Sequence, residues 1–184
     1  EWITSIASRS SGIGCPVCSN QKVVLSNSLA TLNIDLAKEW HPTLNKGLTT
    51  LDVTPGSEKK VWWKCEKGDD HEWISNVRNR VKGNNCPICS GRKVVLSNCL
   101  ATLNPELTKE WHPAKNKKIT PYDVTEMTAK KVWWKCNKGD DHEWITRIEH
   151  RSKGSDCPIC SGRKVVLSNC LATLNPKLAM EWHP

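Results

Sequence analysis

The chain has 184 residues with 27 Lys and Arg against 19 Asp and Glu, a formal net charge of +8, ten Cys, ten Trp, one Tyr and no Phe. It contains no apolar run of transmembrane length and no visible secretory leader, which argues against a membrane protein and against a secreted disulfide scaffold. With only 38% hydrophobic residues, cores must be small and rest on Trp and metal, and an intracellular setting, cytoplasm or nucleus, is expected.

In chain order, the first motif is Cys15-Pro-Val-Cys18, which returns as Cys86-Pro-Ile-Cys89 and Cys157-Pro-Ile-Cys160, a period of 71 residues. Trp40-His41-Pro42 returns at the same period as Trp111-His112-Pro113 and Trp182-His183-Pro184. A fixed period of this length means one structural unit copied in tandem. The units are a truncated first repeat at 1-42, a second at 43-113 and a third at 114-184. Glu1 aligns with Glu72 and Glu143, just after the place of the first ligand His, so the chain is expected to be a piece of a longer array.

Lys60 to Cys65 predicts a strand with Val61, Trp63 and Cys65 on one face and Lys60, Trp62 and Lys64 on the other. Lys67-Gly68-Asp69-Asp70 reads as a turn, and a second strand is expected from Glu72 to about Arg80. Lys82-Gly83-Asn84-Asn85 then turns into the Cys-Pro-Ile-Cys knuckle. Ser97 is expected to cap a helical turn through Leu103, and Asn104-Pro105-Glu106 opens a helix to about His112. Pro113 and the stretch from Asn116 to Tyr122 link this unit to the next, where Lys130 to Trp144 repeats the hairpin. The predicted fold is therefore a tandem of small α+β zinc-stabilised units, each a β-hairpin with two zinc knuckles followed by short helices.

Each full unit offers Cys-x5-His, a spacer of fourteen residues and Cys-x2-Cys. Two close pairs of thiolate and imidazole ligands are what tetrahedral Zn2+ takes. The candidate sites are Cys65, His71, Cys86 and Cys89, then Cys136, His142, Cys157 and Cys160. Cys15 and Cys18 form half a site whose Cys and His partners are not in the sequence. His112 competes with His71 for the fourth position, but His71 lies in the turn beside Cys65, whereas His112 stands at a helix end where a His suits the helix dipole. Cys99 and Cys170 are expected to be packing residues, because Ser28 fills the same place in the first repeat.

Three thiolates, a neutral His and Zn2+ sum to about -1, so two loaded sites lower the net charge from +8 to about +6. The remaining basic residues recur at the repeat pitch, as suits a polyanion. Candidate nucleic-acid contacts are Arg78, Arg80, Arg92 and Lys93, with Arg147, Arg151, Arg163 and Lys164 in the third repeat. Trp62 and Trp133, beside lysines, read either as platforms for unpaired bases or as packing against a neighbouring unit, with burial favoured. Asp69, Asp70 and Glu72 raise a metal-dependent nuclease, yet no companion carboxylate and lysine set accompanies them, so a polar loop is the more economical reading.

Residues 86-105 and 157-176 are identical, while the spacers Ser75-Asn79, Thr146-His150 and Thr4-Ser8 differ. Strand alternation would keep Val77, Ile148 and Ile6 buried and turn residues 76, 78 and 80 outward as a variable reading surface.

Together, Trp63-Lys64-Cys65, His71-Glu72-Trp73, Cys86-Pro87-Ile88-Cys89 and Glu110-Trp111-His112 resemble the tandem treble-clef, or zinc-ribbon, repeats of uncharacterised function, over essentially the whole chain. The resemblance implies a small metal-stabilised unit occurring in arrays, at times beside nuclease-like domains, with nucleic acid as the expected ligand. The expectation is a non-enzymatic zinc module that binds nucleic acid, DNA ahead of RNA, mainly through phosphates. The alternative is a protein-interaction or spacer array that positions a catalytic, nuclease-like domain.

Overall fold

In the computed structural model, which describes residues 2–182, the side chain of Ser5 accepts the Ser8 amide at 3.1 Å and starts helix α1 (Ile6–Ser10). Glu1 and the His183-Pro184 end of the third Trp-His-Pro phrase lie outside the described residues. Contacts divide the chain into two units, Glu1–Ser90 and Gly91–Pro184. No helix among the described residues is long and apolar enough to cross a membrane.

In the first unit, Asn27 closes a 3-10 turn by accepting the Val24 amide at 2.8 Å. Its amide group donates to the carbonyls of Val17 and Lys22 at 3.2 and 3.1 Å, tying the Cys-Pro-Val-Cys knuckle to the turn. Short helices α2 (Leu29–Leu32) and α3 (Ile34–Lys38) come next. Beyond a loop, β1 (Lys60–Lys64) and β2 (Glu72–Asn76) pair antiparallel with Trp63 opposite Trp73. The predicted alternation holds: Val61, Trp63 and Cys65 are buried, while Lys60, Trp62 and Lys64 are not.

The free edge of β1 is covered from within the unit, which removes an exposed ladder. His41 donates its backbone amide to the Trp62 carbonyl at 3.1 Å, and the Lys64 amide reaches the Glu39 carbonyl at 2.7 Å. The Trp40 ring meets Trp63 edge-on at 5.5 Å, and Leu29 donates to the Val53 carbonyl at 2.8 Å. The segment carrying Trp40 thus packs on the hairpin that comes after it in the chain.

The second strand is shorter than expected. It stops at Asn76, whose side chain accepts the Asn79 amide at 3.0 Å and caps helix α4 (Val77–Val81). An Asn that bonds its own downstream backbone favours a helix start over a continued ladder. Val77 and Arg80, three residues apart, share the buried face, whereas Arg78 and Asn79 point out. Strand alternation of residues 76, 78 and 80 is therefore replaced by helical spacing, and Ile6, the supposed equivalent of buried Val77, is 87% exposed.

The second unit repeats the plan. Cys99 precedes α5 (Leu100–Leu103), so the helix starts after Cys99 and not at Ser97. Asn104 accepts the Leu107 amide at 3.1 Å and, with Pro105 at the first position, starts α6 (Pro105–Thr108), shorter than the sequence suggested. Pro121–Asp123 forms a 3-10 turn inside the expected loop. Strands β3 (Lys131–Lys135) and β4 (Glu143–Arg147) place Trp134 opposite Trp144. Helices α7 (Ile148–Ser152), α8 (Leu171–Leu174) and α9 (Pro176–Ala179) complete the unit. Its core joins Leu100, Leu107, Val124, Val132, Trp134 and Ile148 with the metal-site residues Cys136 and Cys157.

Candidate metal centre

The hairpin delivers the first ligand pair. Cys65 comes directly after β1, and its amide bonds the His71 carbonyl at 3.0 Å, so the turn between them is closed by backbone. The His71 amide in turn reaches the Gly68 carbonyl at 3.1 Å. A Cβ on Gly68 would fall 2.7 Å from the His71 ring, and one on Gly139 2.6 Å from that of His142. Both turns need glycine because the imidazole folds back over the backbone.

The knuckle delivers the second pair. Its turn is closed by the Ser90 amide on the Cys86 carbonyl at 3.2 Å. Cys65 Sγ lies 3.7 Å from Cys89 Sγ, and His71 Nδ1 lies 3.3 Å from Cys89 Sγ and 3.8 Å from Cys86 Sγ. The second unit matches at 3.7, 3.3 and 3.9 Å for Cys136–Cys160, His142–Cys160 and His142–Cys157. In each set all four ligand atoms lie within 4.8 Å of one another. A tetrahedral ion with Zn–S bonds of about 2.3 Å separates its sulfurs by about 3.8 Å, so the donors fit a bound cation. Burial, and then the adjacent Cys65 and Cys86 thiols, push the Cys89 thiol up to about 12, and burial followed by the Cys136 and Cys157 thiols pushes Cys160 up to about 11. Such crowded sulfurs become joint thiolates when a cation is among them.

Around the second site, the Asp141 carboxylate accepts the Ser168 amide at 2.9 Å and its hydroxyl at 2.7 Å. Ser168 Oγ stands 3.4 Å from His142 Nε2, on the ring edge away from the thiols. Asp141 and Ser168 position the ligand His.

His41 and His112 are spent elsewhere. His112 Nδ1 accepts the Ala114 and Lys115 amides, both at 3.1 Å, so its proton resides on Nε2, 3.0 Å from Glu143. His41 Nδ1 likewise accepts the Thr43 and Leu44 amides, both at 3.2 Å, and its Nε2 lies 3.2 Å from the Glu72 carboxylate. The buried ring locks the chain between helix and hairpin, a role of hydrogen bonding and not of helix dipole. Glu72 also pairs with Lys64 at 3.2 Å, so this acid is structural. Trp62 and Trp133 are half-buried within their own units, against His41 and His112 at 6.4 and 6.5 Å between ring centroids.

Cys99 is fully buried outside both ligand sets, with Sγ 3.3 Å from the Leu96 carbonyl and 3.3 Å from Thr102 Oγ1. Cys15 and Cys18 form a knuckle, closed by the Ser19 amide on the Cys15 carbonyl at 3.0 Å, that belongs to neither cluster of four.

Two of the eight basic candidates are not at the surface. Arg80 and Arg151 are buried, paired with Glu39 and Glu110, and their guanidinium groups lie over Trp63 with Trp73 and over Trp134 with Trp144. Helical spacing turned them inward, which removes them from a nucleic-acid face. The recurrence of Glu in Glu-Trp-His and of Arg at the same point of each spacer was the available signal. Arg78 is exposed and paired with Glu58 at 2.9 Å, and Arg147 with Glu149 at 3.3 Å. Arg92, Lys93, Arg163 and Lys164 are exposed beside the knuckles. Arg163 bonds Ser161 Oγ at 2.8 Å and Lys164 the Glu143 carbonyl at 2.9 Å, both neutral acceptors. Asn45 and Asn116, missed in the sequence, each grip both backbone polar groups of Trp62 and Trp133.

A hairpin turn and a Cys-x2-Cys knuckle that present three Cys and one His define a treble-clef-like metal-binding module, present here twice in tandem. The chain belongs to the family described as probable treble clef zinc finger domain, matching it at residues 36–92 and 107–163. Each match starts within a short helix, α3 or α6, and ends past the knuckle. No curated protein matches the chain.

Proposed function

We propose that the chain is a non-enzymatic array of Zn2+ modules that binds nucleic acid, DNA ahead of RNA, mainly through its phosphates. Zinc is favoured by the tetrahedral spacing of three sulfurs and one imidazole nitrogen, a donor set suited to that ion. The observation that carries the nucleic-acid reading is the exposed basic pair after each complete knuckle, Arg92-Lys93 and Arg163-Lys164. These cations recur at the 71-residue period on a chain of net charge +8. The residues of α4 and α7 at these places differ, exposed Arg78 and Asn79 against half-buried Glu149 and exposed His150, and would modulate preference between segments.

The test is a salt titration of binding to duplex DNA and to RNA. Replacing Arg92, Lys93, Arg163 and Lys164 with Ala is expected to weaken binding to every sequence. Each lost phosphate contact lowers the slope of log affinity against log salt by about 0.7–0.9. A zinc-loaded chain that binds neither nucleic acid at low salt would overturn the reading. That result would favour a protein-interaction or spacer array, for which the recurrent exposed leucines Leu25, Leu96 and Leu167 speak.

A further inference from the structure

Residues 96-105 and 167-176 have the same sequence and are followed at the same place by Leu107 and Leu178, yet these leucines have different surroundings. Leu100 and Leu107 are 0% and 8% exposed, whereas their counterparts Leu171 and Leu178 are 38% and 48% exposed. Trp111 is half-buried, while Trp182 is 74% exposed. Leucines off this seam show no such reversal, since Leu96 and Leu167 are 67% and 78% exposed and Leu103 and Leu174 are 50% and 69%. The largest differences fall on Leu100, Leu107 and Trp111, which in the second repeat join or pack against the cluster of Val124 with Val132 and Trp134 of the next hairpin.

Polar complementarity runs along the same seam. Glu110 accepts the Lys135 amide on its backbone carbonyl at 2.8 Å and holds Arg151 with its carboxylate. Glu39 treats Lys64 and Arg80 in the same way in the first unit. Glu181 occupies the equivalent place and is exposed.

We infer that Leu171, Leu178, Glu181 and Trp182 form a docking surface for one more β-hairpin-and-knuckle segment of this repeat type. That occupant presents an inward Val-x-Trp strand to the leucines, its edge backbone to Glu181, and an Arg stacked on two Trp to the Glu181 carboxylate. The inference concerns how units join and is independent of the nucleic-acid reading.

The test extends the full chain after Pro184 with a second copy of residues 114–163. Zinc content and amide hydrogen exchange are then measured on the extended and unextended chains. The expected result is one additional equivalent of zinc, with exchange over residues 171–182 slowed roughly 10-fold or more. Leu171→Asp with Leu178→Asp in the extended chain should restore fast exchange there. The inference is overturned if the added copy loads zinc while residues 171–182 exchange as before, or if it fails to load although its ligand set is unchanged. It is also overturned if the unextended chain sediments as a dimer that the two Asp substitutions dissolve, since the occupant is then a second copy.

Discussion

Arg80 and Glu39 form an ion pair across 41 residues of sequence, with the arginine side chain 4% exposed. The guanidinium lies 5.4 Å from the Trp63 ring and 5.3 Å from the Trp73 ring, so one cation joins the helical segment to both strands. Arg80→Ala strands the Glu39 carboxylate and removes two cation–π contacts. With Glu39 35% exposed, water softens the loss, and a cost of roughly 2–3 kcal/mol is expected. Urea unfolding of the zinc-loaded chain checks this, with Arg80→Lys recovering part of the stability through charge without the planar fork. A loss no larger than that of an exposed control, Arg78→Ala, would contradict it.

Metal removal should unfold both units, because their small cores are held together by the coordination that links hairpin to knuckle. Two equivalents of zinc are expected from the two complete sites, and Cys86→Ser should leave one. Thiols held as high as Cys89 and Cys160 are protonated without metal, so uptake at neutral pH releases protons and affinity rises with pH. Elemental analysis, circular dichroism during chelation and an indicator-dye titration measure these three outcomes. Retention of both equivalents in Cys86→Ser would contradict the ligand assignment.

Cys99→Ser should keep both metals and the fold. Ser28, in the same position of the first repeat, is equally buried and donates to the Leu25 carbonyl at 2.9 Å, as Cys99 donates to that of Leu96. The cost should stay within about 1–2 kcal/mol, read as a small shift in the urea midpoint with zinc content unchanged.

Gly68→Ala and Gly139→Ala should loosen the metal without touching a ligand. The new methyl would displace the His71 or His142 ring that now closes over the turn. Competition with a chromophoric chelator should show roughly 10- to 100-fold weaker binding, the range seen when groups that orient a ligand are disturbed. Affinity equal to the wild type would mean that the turn relaxes at no cost to the site.

Much of the module is local and therefore legible in sequence. The alternation that buries Val61, Trp63 and Cys65 sets the face of β1, and Asn104 with Pro105 starts α6, each through interactions within a few residues. The ligand quartets were readable because coordination chemistry restricts both residue type and pairing, and the 71-residue repeat displays them twice. The tertiary structure decided what the ambiguous residues at 77–81 would become. Asn76 capped them into a helix, Val77 and Arg80 turned inward together, and a cation read as a surface contact became buried. It also decided that His112 bonds Glu143 and not the metal, and that each helical segment packs on the next hairpin. The Asn76 cap is itself local, but the inward pairing of Arg80 with Glu39 and the pairing of His112 with Glu143 depend on partners 41 and 31 residues away, brought together by Trp packing and buried charge pairing. No local periodicity records such distances.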